Sequence, residues 1–285
     1  MNLPNPVELS IEFFPPQTAE GVARLRATRT QLAVLRPDYF SVTYGAGGTM
    51  KARTFDTVQE IIGEGHKAAP HLTCIGASRA EICEIIHAYR EAGICRIVAL
   101  RGDPPSGMGN LGELRYASEL VDLIRTETGD HFKVEVAAYP ECHPQADSPE
   151  ADLHYFAQKM AAGADSAITQ YFFNPDAYFY FVDAARKLGV EAPVVPGIMP
   201  ILNYGRLARF SENCGSEIPR WMRKRFDQLH DDVEAVRELG IELVTALCER
   251  LLQGGAPGLH FYCMNQPGPT LEICRRLGFL GPLDA

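Results

Sequence analysis

Short apolar runs alternate along the chain with stretches whose apolar residues return every three or four positions. The runs are Leu9–Phe13, Tyr39–Thr43, His71–Cys74, Arg96–Leu100, Val134–Ala138, Ser166–Gln170, Val194–Ile198 and Leu259–Tyr262, eight in all. Several, such as IVAL and VVPGIM, are almost continuously apolar, as strands of a parallel sheet covered on its outer face must be. Between them, Val22, Leu25, Leu32 and Leu35 fall on one helical stripe. Val233, Val236, Gly240, Val244, Leu247 and Leu251 fall on another. Strand and helix in alternation predict a parallel sheet with right-handed crossovers. Eight strands fit closure into an α/β fold of the (β/α)8 TIM-barrel type, with an open doubly wound sheet as the competing layout. The stretch 211–232 is too long for a simple connection and predicts an extra helix over Pro219–Gln228, before the last strand. No low-complexity linker interrupts the series, so residues 1–285 are expected to form one barrel domain.

Composition narrows the partners. With 46% hydrophobic and 22% charged residues, the chain can bury a large core and disorder is not the default. A net charge of −9 repels phosphate backbones, so no nucleic acid is expected to bind. The N-terminal residues lack a basic stretch followed by an apolar one, and no apolar run approaches a membrane span. A cytoplasmic location without membrane contact is expected. The eight cysteines, Cys74, Cys83, Cys95, Cys142, Cys214, Cys248, Cys263 and Cys274, are scattered with no C-x-x-C pair. Free thiols are therefore expected, and no metal.

Barrel enzymes place their chemistry where strands end. Glu12, Thr43, Arg101, Asp103, Tyr139, Glu141, Gln170 and Tyr262 all stand at such ends. In IEFFPP, Glu12 lies between bulky apolar residues. Burial disfavours the charged form of a carboxyl group, which suits it to proton donation, although an internal ion pair would explain it equally well. SVTYGAGG runs a strand into a glycine-rich loop, which is either a ligand cradle or a tight turn. In ALRGDPP, Arg101 offers a fork of donors for phosphate or carbonyl groups, and Asp103 a negative charge. The RGD tripeptide continues a buried strand, which rules out an adhesion motif. Cys142 beside His143 and His260 near Cys263 are weak metal pairs. Asp152 and Lys159 are seven residues apart on one helical face, either solvated or lining a ligand. AITQYFF ends a strand with an amide, Gln170, able both to donate and to accept. Arg220, Arg223, Lys224 and Arg225 form the one dense basic cluster in the sequence, either a solvated face or an attractor for an acidic tail.

Taken in order, IEFFPP, SVTYGAGG, PHLTC, ALRGDPP, AAYPE-x-HP, AITQYFF, PGIMP and HFY-x-x-N resemble the methylenetetrahydrofolate reductase family. The resemblance runs from Ile11 to Leu277 and looks like the short bacterial type. It implies a barrel holding FAD at the strand C-termini. It also implies ping-pong transfer of hydride from NADH or NADPH, through the flavin, to 5,10-methylenetetrahydrofolate. The product would be 5-methyltetrahydrofolate, which feeds methionine synthesis. A homo-oligomer is the expected assembly. By motif match, Glu12 resembles the general acid that opens the folate ring, and Asp103 the carboxylate that stabilises the resulting cation. Gln170 and Phe210 resemble residues that contact nicotinamide and folate in turn, with Thr43 and Tyr262 beside them. For FAD the resemblance implicates Thr43, Tyr44, Ala46, His71, Arg101, Gly102, Asp103, Tyr116, Ala117, Tyr139, His143, Ala146, Asp152 and Lys159. There are departures. Gln266 stands where many relatives carry Arg, Arg206 where some carry Gln, and Tyr155 and Gln158 replace polar or basic residues. A relative reduced by a protein donor, a non-catalytic folate or flavin binder, and a folate-binding methyltransferase are the competing readings.

Overall fold

The computed structural model describes residues 7–44, 48–103, 112–230 and 232–280, with the side chains of 48–51 set aside. Among these residues the strands are β1 (Glu8–Phe13), β2 (Tyr39–Val42), β3 (Ala68–Thr73), β4 (Arg96–Leu100), β5 (Lys133–Ala138), β6 (Ser166–Thr169), β7 (Val194–Val195), β8 (Gly197–Ile198) and β9 (Gly258–Tyr262). All pair in parallel, in the order β7-β6-β5-β4-β3-β2-β1-β9-β8. Because β7 and β8 are separated by Pro196 alone, the two ends of this series meet and the sheet is a nearly closed barrel. The predicted strand Val194–Ile198 is thus split. Pro196 has no N–H to give to a ladder, but its carbonyl accepts from His260 at 3.0 Å. β7 pairs with β6, and β8 with β9.

The helices are α1 (Ala19–Leu32), α2 (Gly48–Gly63), α3 (Arg79–Glu91), α4 (Ala117–Thr128), α5 (Pro149–Ala161), α6 (Pro175–Lys187), α7 (Tyr204–Cys214), α8 (Arg220–Asp227), α9 (Val233–Gln253) and α10 (Pro267–Arg276). The extra helix predicted before the last strand is α8. Leu35 falls outside α1, in a 3-10 turn over Ala33–Leu35 that Arg36 ends with φ 50°. Starts are written locally. Ser78 and Glu81 form a reciprocal capping box on α3, and Ser148-Pro149 and Asn174-Pro175 open α5 and α6. Val233, at the first position of α9, is exposed, whereas Val236, Val244 and Leu251 face the sheet.

The strand pleat divides the core in two. Leu9, Ile11 and Phe13 of β1 pack outward into the main apolar layer under the helices. Alternate residues therefore point inward: Glu8, Ser10 and Glu12 from β1. Inside, Tyr39, Ala69, Val98 and Ile168 form a second, small apolar cluster. No described helix is long and apolar enough to cross a membrane.

Candidate active site

A cavity of about 790 Å³ opens at the C-terminal end of the barrel. Glu12 from β1, His71 from β3, Gln170 after β6, Tyr262 from β9 and Phe210 from α7 reach into it, as do Thr43 and Tyr44 after β2. Beside it runs a groove of about 520 Å³ that carries Arg101, Tyr116, Ala117, His143, Ala146, Asp152 and Lys159. Gly102, Asp103 and Tyr139 line both. The barrel thus gathers the candidate residues into two joined spaces. Ala46 lies outside the described residues.

Glu12 stands at the base of the cavity with 17% of its side chain exposed. Two imidazoles face one of its oxygens: His71 Nε2 lies 3.4 Å from Oε2, and His260 Nε2 lies 3.6 Å from the same atom. Burial pushes the His71 pKa down, so this ring is neutral. The Tyr262 hydroxyl donates to the Thr169 carbonyl at 2.7 Å. Its ring presses on Gly197, where an added Cβ would come within 2.1 Å of the Thr169 carbonyl and 2.6 Å of the tyrosine. The Gln170 side-chain oxygen accepts from the Tyr171 N–H at 3.0 Å, which fixes the amide at the wall. Phe210, 44% exposed, stacks on Tyr171 with ring centroids 5.9 Å apart.

Between the two spaces, Gly102 adopts φ 85°, and a Cβ there would meet Ile75 and Thr73 at 2.8 and 2.9 Å. Only glycine suits this turn. It presents Asp103 to solvent, 91% exposed and 4.0 Å from Arg101. Arg101 is tethered by the Gln145 side chain and the Gly102 carbonyl. In the groove, Asp152 accepts the His143 N–H at 2.8 Å. The Lys159 stem is partly exposed, but its ammonium is enclosed against the Ala137 carbonyl, and burial lowers its pKa to about 8. Burial likewise raises Tyr139 to about 12.

Some candidate residues lie elsewhere. Glu141 lines neither space; it accepts the Glu217 N–H at 2.8 Å, and burial raises its pKa to about 7. The basic cluster also lies outside: Arg223 caps the Ile218 carbonyl and Arg225 pairs with Glu242. Arg206 and Gln266 line a third cavity of about 510 Å³ together with Arg237. Tyr155 and Gln158 line the groove. Among the described residues no cluster of three or more His, Cys, Asp or Glu is arranged to hold a metal. Sequence reasoning missed Thr73, Met199 and Met264 in the cavity wall. It also read His260 as half of a weak metal pair, whereas its ring lies under Glu12. The signal was present in E-L-S-I-E, Glu8 to Glu12, where polar residues alternate on one face of a strand.

The cavity can hold an apolar ring system over one enclosed carboxyl group, and the groove can hold an extended anion. A family model described as Methylenetetrahydrofolate reductase matches residues 4–278. The chain is 40% identical over 273 residues to the 5,10-methylenetetrahydrofolate reductase of Escherichia coli (strain K12), covering 95% of this chain and 91% of that protein. It is equally similar to the enzyme of the same description from Pectobacterium carotovorum, at 40% identity over 95% of this chain and 90% of that one. Among solved structures, an uncharacterized protein from Clostridium thermocellum that binds two copies of 5-methyl-5,6,7,8-tetrahydrofolic acid superposes with a TM-score of 0.66. That match covers 95% of this chain and 96% of the other at 14% identity, a likeness of fold.

Proposed function

The chain belongs to the methylenetetrahydrofolate reductase family, and from that premise we propose that it reduces 5,10-methylenetetrahydrofolate to 5-methyltetrahydrofolate with FAD as cofactor and NADH or NADPH as electron donor. The observation that carries this reading is Glu12: one carboxyl group at the base of a ring-sized cavity, beside a groove with cationic groups.

The groove suits FAD by its donor set. Arg101 and the enclosed Lys159 ammonium match a pyrophosphate, Asp152 matches ribose hydroxyls, and Tyr116, 58% exposed beside the start of α4, offers a face for an adenine. FAD held there would supply the relay of hydride from the nicotinamide to the folate. The remaining work falls to the chain. Glu12 donates a proton to the folate nitrogen as the five-membered ring opens. Asp103 faces the cation that develops at the methylene carbon and stabilises it. Gln170 and Phe210 hold either ring system against the cavity wall, so nicotinamide and folate use the space in turn. In one-carbon metabolism the product supplies methyl groups for methionine synthesis.

The test is optical. The purified protein is expected to be yellow, to bleach anaerobically with NADH or NADPH, and to recover its colour when methylenetetrahydrofolate is added. A colourless protein that takes up no added FAD would sink the reading. A flavin that neither nicotinamide reduces would point to a protein electron donor.

A further inference from the structure

The motif AAYPE-x-HP contributes Tyr139 and His143 to the groove, but its carboxyl group, Glu141, lines neither space. Glu141 is half-buried in a tight turn after β5. The Cys142 N–H donates to the Tyr139 carbonyl at 3.3 Å, and Cys142 adopts φ 77°, a conformation that favours glycine. The Tyr139 and His143 rings meet edge to face with centroids 4.5 Å apart. Glu60 and Glu135 answer arginines, but among the described residues no cation pairs with Glu141.

What Glu141 holds is the end of α7. The Glu217 N–H donates to Glu141 Oε2 at 2.8 Å. Two residues earlier, Gly215 ends α7 with φ 73°, so close to Pro144 that an added Cβ would come within 2.7 Å of the proline ring. Ser216, between them, donates to the Tyr171 carbonyl at 2.8 Å. The segment 215–217 is thus pinned both to the loop after β5 and to the end of β6. Tyr171 carries the contact back into α7. Its hydroxyl hydrogen-bonds Ser211 at 2.9 Å, and its ring stacks on Phe210, which lines the cavity. These contacts together fix the last turns of the helix that bears Phe210.

We propose that Glu141 is a positioning residue for Phe210: its carboxyl group clasps the end of α7 to the loop that walls the groove, and so sets the Phe210 ring against the ring system that enters the cavity. The inference rests on the proposed function for the ligands that Phe210 meets. The clasp answers to protonation. Burial, opposed by the Glu217 N–H and reinforced by the like charge of the Glu217 side chain, raises the Glu141 pKa to about 7. Below that value the carboxyl group is neutral and stays in place. Above it the carboxylate faces a second carboxylate and is drawn to water, which frees the Glu217 N–H. The other titratable groups around the turn carry no charge near neutrality. Burial raises the Cys142 and Cys214 thiols, lifts the Tyr139 and Tyr171 phenols to about 12, and lowers the His143 imidazole.

Glu141→Gln keeps an acceptor for the Glu217 N–H without the charge, and Glu141→Ala removes it. In amide hydrogen exchange at one pH, the stretch 204–217 should lose protection in Glu141→Ala and keep it in Glu141→Gln. Unchanged exchange in both overturns the clasp. With FAD saturating, KM for the nicotinamide and for the folate should each rise about threefold to tenfold in Glu141→Ala, with kcat held within about twofold. In the wild type a like rise in KM should appear between pH 6 and pH 8, and Glu141→Gln should be flat; this comparison decides if Glu141→Ala does not fold. In a Phe210→Ala background, removing Glu141 should add nothing, because the ring it positions is gone. Independent, multiplying effects in the double variant overturn the proposal, as does the same pH profile in wild type and Glu141→Gln. A wild type that turns over neither ligand, yet loosens at α7 in Glu141→Ala, would sink the proposed function and leave the clasp standing.

Discussion

At the scale of single residues, the two half-reactions of the proposed function make different demands. Hydride transfer from nicotinamide to flavin requires no proton at a leaving nitrogen, whereas ring opening does. Glu12→Gln keeps size and polarity and removes the acidic proton. Stopped-flow bleaching by NADH should stay within about tenfold of wild type, and reoxidation by the folate should slow by about 10²–10⁴. Loss of both rates together with FAD would make Glu12 a structural residue of the barrel mouth. Lys159 answers to pH. Its pKa of about 8 is depressed by burial, so the ammonium is charged below that value and lost above it. An anionic ligand binds the charged form. FAD affinity measured by fluorescence quenching should therefore fall as pH rises beyond 8, and Lys159→Met should bind weakly with a flat profile over the same range. An equal slope in wild type and variant would assign the pH dependence to another group.

At the scale of elements, close approaches set what each strand end tolerates. Gly197 sits where β8 crosses the Tyr262 ring and the Thr169 carbonyl, and a methyl group has no room there. Gly197→Ala must displace Tyr262 or the end of β6. A loss of about 1–3 kcal/mol in urea unfolding is expected, with weaker folate binding because Tyr262 lines the cavity. Unchanged stability would mean that the strand end yields freely. Glu141 ties the loop after β5 to the segment between α7 and α8 through the Glu217 N–H. Its folded pKa, about 7, lies above the ordinary carboxyl value of 4.5. The folded state thus binds the proton more tightly than the unfolded chain. This stabilisation is complete below pH 4.5 and fades as pH rises through 7. Glu141→Gln should remove that loss, so the stability difference between variant and wild type should grow in the variant's favour from pH 5 to pH 8 in chemical denaturation. A constant difference would place the carboxyl in water. α1 and α2 are joined differently. Arg29 occupies the buried stripe between Leu25 and Leu32, where a hydrophobic residue would ordinarily stand, and pairs with Glu60 and Glu64.

At the scale of the whole molecule, the joined spaces imply an order of events. Gly102, Asp103 and Tyr139 belong to both the cavity and the groove, while Gln170 and Phe210 belong to the cavity alone. If the proposed flavin occupied the groove, the cavity would leave one place for a second ring system. On the proposed function nicotinamide and folate would then alternate. Initial rates at several folate concentrations should give parallel double-reciprocal lines against NADH, with competitive inhibition by excess folate. Intersecting lines would require both substrates to be bound at once and a second place for one of them.

How much of this was legible in the sequence follows from the range of the interactions involved. The apolar runs and the period-3.6 patterns are local, and they marked every barrel strand and the long α9 within a few residues, while the length of the stretch 211–232 marked the extra helix α8. The order of motifs, each at a strand end, carried the family and the candidates Glu12, Asp103 and Gln170. Three features were decided by tertiary structure alone. Pro196 divides a strand because its two halves must face different neighbours when the barrel closes. The departures at Arg206 and Gln266 line one cavity only because the folded chain brings α7 and the start of α10 to it. His260 lies under Glu12 although 248 residues separate them, since β9 is the neighbour of β1 in the closed sheet. No local window contains such a pairing: it exists only once closure has set the register of the first strand against the last.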